Sequence, residues 1–206
     1  MKVLLLFCGL LLASEVLGQE YFRKSDFIRS DCDSDQRYDE WSRNWYTRTM
    51  RKFGEPSFLE SNFEYPVYRF LWMPSFDSLH VITIHFADST FVTWKTASDD
   101  NEDLFSDKLD YSLFNIKSGK VSIGDVFYIH SWERIISDLG FWHDSSMEPC
   151  LWLGVNDGSR WLFEARNADN YKIINRSNPD QYSKYFLLGL LFFKVAGKDK
   201  ALSDLH

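Results

Sequence analysis

The chain has 206 residues, 45% of them hydrophobic, and a formal net charge of −7. That length suits one domain with a substantial core. An acidic chain without a Lys/Arg cluster is a poor fit to nucleic acid, whose binding relies on neutralising phosphates.

Lys2 is followed by an apolar run from Val3 to Ala13, a polar break, and the small-residue pattern Val16, Leu17, Gly18 before Gln19. A basic start, a short apolar run and a small residue at the cut define a secretory signal peptide. Residues 1–18 are read as that leader, which implies a secreted or periplasmic protein. Cys8 follows Phe7 rather than a small residue, which argues against a lipid-attachment site. The longest later apolar stretch, Tyr185 to Phe193, falls far short of the roughly 20 residues of a spanning helix. No integral membrane span is therefore expected.

Beyond the leader, residues 19–60 form a polar segment with one helix expected from Asp35 to Lys52. Tyr38, Trp41 and Trp45 recur there at helical spacing, and Gly54 and Pro56 stop it. This aromatic stripe either docks on the main domain or meets a partner. Cys32, in the polar run DCDSD, and Cys150, beside Leu151 and Trp152, leave two readings open. A bridge between them would stabilise the fold by about 5 kcal/mol on the chain-entropy estimate; alternatively Cys150 is buried and Cys32 exposed.

Residues 61–197 carry the signals of an α+β domain, followed by a tail at 198–206. Strands are expected at Val67 to Met73, where Tyr68, Phe70 and Trp72 share one face, at His80 to Phe86 and at Thr90 to Ala97. The acidic run Asp99 to Asp103 reads as a solvated loop, since it lacks the alternating ligands and turn glycine of a calcium loop. A fourth strand is expected at Asp110 to Lys117, turning at Ser118 to Lys120. A helix follows, with Ser122 as its cap, Ile129, Trp132, Ile135, Ile136 and Leu139 as its apolar stripe, and Gly140 as its end. Further strands are expected at Leu151 to Val155, Arg160 to Arg166 and Asn170 to Arg176, and a closing helix from Asp180 to Ala196. The sum is a largely antiparallel sheet of about seven strands packed by two helices, with an N-terminal helical appendage.

Familiar catalytic signatures are missing: the sequence has no H-E-x-x-H, C-x-x-C, G-x-S-x-G or phosphate-cradling glycine loop. His80 and His85, five apart in a strand, point to opposite faces. His143 and Asp144 read as a local loop pair. No metal site and no cofactor is expected.

The most suggestive polar residues interrupt apolar strands. Glu164 shares its strand face with Arg160, Leu162 and Arg166; Arg69 and Lys95 break apolar runs, and Arg176 follows one. Such residues form cross-strand ion pairs on a half-exposed face, a site for an anionic ligand, or an acid/base pair. Trp72, Trp94, Trp152 and Trp161 offer flat rings that would either stack on sugars or fill a core. Asn175-Arg176-Ser177 matches a glycosylation acceptor, which has meaning only in a eukaryotic host.

The segment Tyr68 to Phe76 (YRFLWMPSF), the triplet Gly140, Phe141, Trp142, the string Asp157-Gly158-x-x-Trp161-x-x-Glu164 and Tyr171-x-x-x-x-Arg176-x-x-Pro179 together resemble a family of functionally uncharacterised bacterial secreted or envelope-associated proteins of about this length. The resemblance covers roughly residues 65–197 and implies a bacterial exported domain; it carries no catalytic residue across. The expectation is a non-enzymatic binding or protein-interaction domain holding an unknown protein or envelope component. The alternatives are an envelope hydrolase using Glu164 and a small-ligand or carbohydrate-binding protein. The candidate binding residues are Glu164, Arg69, Lys95, Arg176, Trp161 and Trp72.

Overall fold

A computed structural model describes residues 20–28, 36–75, 77–97, 116–123, 126–148 and 158–198. The expected leader, Cys8, Cys32, Cys150, the Asp99 to Asp103 run, the expected strand Leu151 to Val155 and nearly all of the 198–206 tail lie outside the described residues.

The fold is α+β. Among the described residues, six strands form one antiparallel sheet in the order β4-β3-β2-β1-β5-β6. They are β1 (Val67–Pro74), β2 (Leu79–Phe86), β3 (Thr90–Ala97), β4 (Ile116–Ser122), β5 (Ser159–Arg166) and β6 (Tyr171–Ser177). The helices are α1 (Gln36–Lys52), α2 (Val126–Asp138) and α3 (Lys184–Val195), with a short 3-10 turn at Lys24–Phe27.

Alternation of side chains along each strand gives the sheet two unlike faces. On the first, Tyr68, Phe70 and Trp72 of β1 meet Trp161, Phe163 and Ala165 of β5 and Ile82, Ile84 and Phe86 of β2. α2 supplies Trp132 and Ile136 to this core, and α3 supplies Phe186, Leu188, Phe192 and Phe193. α3 approaches closely because Gly189 faces Trp161, where a Cβ would collide with the indole. On the second face, Leu71, Met73, Val81, Leu162 and Ile173 pack against Tyr21, Phe22 and Phe27 and against Tyr46, Met50 and Phe53 from α1 and its end. Residues from 20–28 and from 36–53 thus cover this face.

Three local expectations are corrected. The fourth strand, of whose expected span residues 110–115 lie outside the described residues, is described over Ile116–Ser122 and runs through the expected turn at Ser118 to Lys120. Gly119 is there because the Trp94 indole lies on it; a Cβ would come within 2.6 Å of the ring. Ser122 closes β4 opposite Phe91, so it is not the cap of α2. Finally, α1 docks only in part by its aromatic stripe: Trp45 packs against the core of the second face and Trp41 does not, while the Tyr38 side chain lies outside the described residues. Its inward side is Asp39, Ser42, Tyr46, Thr49 and Met50, while Trp41 is 47% exposed and Trp45 half-buried. Tyr46 lies at the centre of that inward side, and its hydroxyl donates to buried Asn175 Oδ1 at 2.8 Å. The N-terminal partners of the sheet thus choose the docking face, whatever the aromatic count on the other side.

Candidate functional site

The polar residues singled out in the strands separate into two groups once the register is fixed. Arg69 stands directly opposite Glu164 and opposite Thr83 on the second face. Lys95 lies on the same face two strands away. Trp72, Trp161 and Arg176 are aligned with one another across β1, β5 and β6 on the first face.

The ionic group is completed by a residue that strand patterning does not reveal. α1 ends in a Schellman turn: Gly54 adopts φ 61°, its amide donates to the Arg51 carbonyl and the Glu55 amide donates to the Met50 carbonyl. This turn throws the chain back over the sheet and aims Glu55 at it. Lys95 Nζ then donates to the Phe53 carbonyl at 2.6 Å and the Gly54 carbonyl at 3.2 Å, satisfying the carbonyl end of the helix with a cation.

Glu55 bridges the two cations. Its Oε1 is 2.8 Å from Lys95 Nζ, and its Oε2 is 3.3 Å from Arg69 Nη1. Arg69 in turn forks onto Glu164, with Nε at 2.9 Å from Oε2 and Nη2 on the same oxygen. The remaining carboxylate oxygen of Glu164 accepts from the Tyr171 hydroxyl at 3.0 Å. Arg69 Nη1 also donates to the Pro56 carbonyl at 2.9 Å, and its guanidinium lies 3.9 Å from the centre of the Phe58 ring. Tyr21 donates its hydroxyl to the carbonyls of Glu55 and Pro56.

Cation and anion therefore alternate from Lys95 through Glu55 and Arg69 to Glu164, ending on the Tyr171 phenol. The side chains of Arg69 and Glu164 are 0% exposed, and that of Glu55 is 6% exposed; Lys95, at 25%, is the one that reaches water. The expectation of ion pairs on a half-exposed face is thus corrected: the pair is there, but the 53–59 segment seals it. Burial pushes the Glu164 carboxyl up, against the pull of Arg69 and Tyr171. Burial also acts to raise Glu55, yet Arg69 and Lys95 together hold it below its ordinary value. The nearby carboxylates keep Arg69 firmly protonated despite its burial.

Such a closed network has a clear chemical limit. A general acid or base must come within hydrogen-bond reach of a substrate. Both oxygens of Glu164 are already engaged below a sealed surface. The arrangement instead fixes the 53–59 segment to the sheet with direction-specific, charge-assisted bonds.

The residues of the first face have other tasks. Trp72 and Trp161 are wholly enclosed. Phe186 stacks on Trp161 at 5.4 Å and His80 on Trp72 at 5.4 Å. Neither indole presents a face on which a sugar could stack. Arg176 donates to the Asn175 and Ser145 carbonyls at 2.7 and 2.9 Å and lies 4.6 Å from the Tyr185 ring centre, so it braces the 144–148 loop against β6. No protein-family model matches the chain, and no curated protein does.

The histidines do face opposite ways. His85 stacks on Phe91 at 4.4 Å, on the face opposite His80. Asp144, rather than pairing with exposed His143, holds Lys184 at 2.6 Å and accepts from Tyr185. Among the described residues, no three His, Cys, Asp or Glu side chains gather where they could hold a metal ion.

One surface remains that strand reasoning passed over. Trp41, Trp45, Arg48 and Lys52 follow along α1 at i, i+4, i+7 and i+11, which is one side of a helix. The Trp41 and Trp45 rings stack at 5.5 Å with planes 16° apart. Arg51 is exposed beside them, and Arg48 and Lys52 are half-buried. Helix folding thus gathers cations that look scattered along the sequence of an acidic protein.

Proposed function

We propose that this protein is an exported, non-enzymatic binding domain that holds a protein or envelope component through the outer side of α1. The observation carrying this reading is the division of labour on that helix. Its inward side of Asp39, Ser42, Tyr46, Thr49 and Met50 secures the fold, while Trp41 stands 47% exposed on Trp45 with basic residues beyond it. Tryptophan and arginine are the residue types that dominate binding energy at interfaces. The saturation of Glu164 argues against the hydrolase alternative. The leader and the resemblance to bacterial envelope proteins support export.

A photo-cross-linking amino acid placed at Trp41 tests the reading, with Leu187 as the control, since Leu187 is 55% exposed on α3 in the opposite layer. Discrete adducts from position 41 alone, lost on R48Q/R51Q, are the expected result. Indiscriminate labelling from both positions would overturn it.

A further inference from the structure

We propose that the outer edge of β4 takes up an extended, acidic segment of a partner protein as an added strand, on a surface separate from the outer side of α1. Backbone chemistry carries the argument. β4 is the last strand on its side of the sheet and pairs with β3 without a bulge, from Ile116 opposite Ala97 to Ser122 opposite Phe91. The Ile123 amide donates inward to the Thr90 carbonyl at 2.9 Å. Successive backbone groups of a strand point to alternate sides, so the amides and carbonyls of Ser118, Lys120 and Ser122 point outward. Among the described residues none of these groups meets a hydrogen-bond partner.

The other edge of the sheet is treated differently. Along β6 the Asn175 amide donates to the Ser146 carbonyl at 2.7 Å and the Ser177 amide to a Glu148 carboxylate oxygen, so the 144–148 loop covers that edge. β4 has no such cover among the described residues, and no proline or bulge takes it out of reach. A row of outward donors and acceptors at strand spacing is matched by another extended backbone. Charge then selects the occupant. Lys117 and Val121 lie on the first face and Lys120 on the second, all of them exposed, in a chain whose net charge is −7. Lys120 Nζ rests 3.7 Å from the centre of the Phe91 ring, which holds its charge beside the edge. A second copy of the chain would crowd the lysines of both edges into one ladder, whereas an acidic strand sets opposite charges across from them. In an antiparallel partner the residue opposite Val121 is apolar, and the next residue and the one three beyond it, opposite Lys120 and Lys117, are acidic.

The test uses the full chain and a blocked synthetic peptide, Thr-Val-Glu-Thr-Thr-Glu-Thr, with affinity read by fluorescence anisotropy and backbone hydrogen exchange read by NMR. The Ser118, Lys120 and Ser122 amides are expected to exchange freely in the protein alone and to become protected when the peptide is added. Neutralising the charges in K117Q/K120Q weakens binding by up to about five-fold per lysine. Ser118→Pro removes one outward donor, leaves the β3 ladder in place and loses binding. Should that variant fail to fold, K117E/K120E is expected to reject the acidic peptide and accept Thr-Val-Lys-Thr-Thr-Lys-Thr. Unprotected amides at millimolar peptide would overturn the proposal. Binding that survives Ser118→Pro, or that ignores the charge exchange, would overturn the added strand as well. Protection of the same amides in concentrated protein without peptide, together with a dimer in ultracentrifugation, would overturn the partner segment in favour of a second copy.

Discussion

The two faces of the sheet solve the same burial problem with different chemistry. The first is sealed by rings: Phe70 stacks on Phe163 at 4.7 Å, and Trp132 meets Phe192 edge-on at 4.9 Å, with α2 and α3 as lids. The second places Arg69 and Glu164 at its centre and covers them with the 53–59 segment and α1. Rings are indifferent to which ring lies beside them, within limits of volume. Buried charges are not, because each must find its partner. The aromatic face therefore supplies the bulk of the cohesion, and the ionic face dictates where one particular segment of chain must lie.

Removing a single large ring from the first face would damage the fold most. Trp161→Ala leaves a cavity beneath Phe186 and Gly189 and is expected to cost about 3–5 kcal/mol in chemical denaturation. A smaller loss at the same position would mean that α3 can settle into the gap.

Acid should act on the second face first. Burial presses the His85 imidazole down to about 4 from the ordinary 6.5, against a weaker upward pull from Glu55. A histidine with a depressed folded value favours the neutral form, so the unfolded chain takes up the proton first and stability falls as pH drops from about 6.5 toward 4. His85→Phe, which keeps the stack on Phe91, is expected to flatten that part of the stability profile. An unchanged slope would assign the acid sensitivity elsewhere. Glu55, held below its ordinary value, adds a loss of the same sign at lower pH.

The smallest effect belongs to the outer side of α1. Trp41→Ala is expected to shift stability by no more than about 1 kcal/mol, the order of what its half-exposed stack on Trp45 contributes. A loss of several kcal/mol would show that this side belongs to the core and would weaken its assignment to binding.

Much of the first face was legible in the sequence. Tyr68, Phe70 and Trp72 alternate cleanly, and β1 to β3, β5 and β6 lie within a few residues of their expected spans. The opposite orientation of His80 and His85 followed from the same period of two. What alternation could not supply was pairing across the chain. Arg69, Lys95 and Glu164 each stood out as charges in apolar strands, but their meeting depends on register and on Glu55, a residue whose local sequence announces only a turn between Gly54 and Pro56. Arg176, Trp72 and Trp161 looked equally suggestive and fall on the other face by parity. In α1, the eye goes to tryptophan, yet Tyr46 and Met50 make the inward side, because burial there is set by the sheet beneath. Gly119 read as a turn for a similar reason: the ring that needs its bare backbone is on the neighbouring strand.

The claim that the Arg69 and Glu164 charges are kept for placement of the chain and not for chemistry is tested most directly by a double-mutant cycle on stability. Arg69→Met strands Glu164 beneath the surface, and Glu164→Leu strands part of the Arg69 fork; each alone is expected to cost about 3–5 kcal/mol. The double variant leaves Glu55 held by Lys95 and Thr83 and is expected to be no less stable than either single variant. Losses that simply add, or single losses below about 1 kcal/mol, would contradict the account.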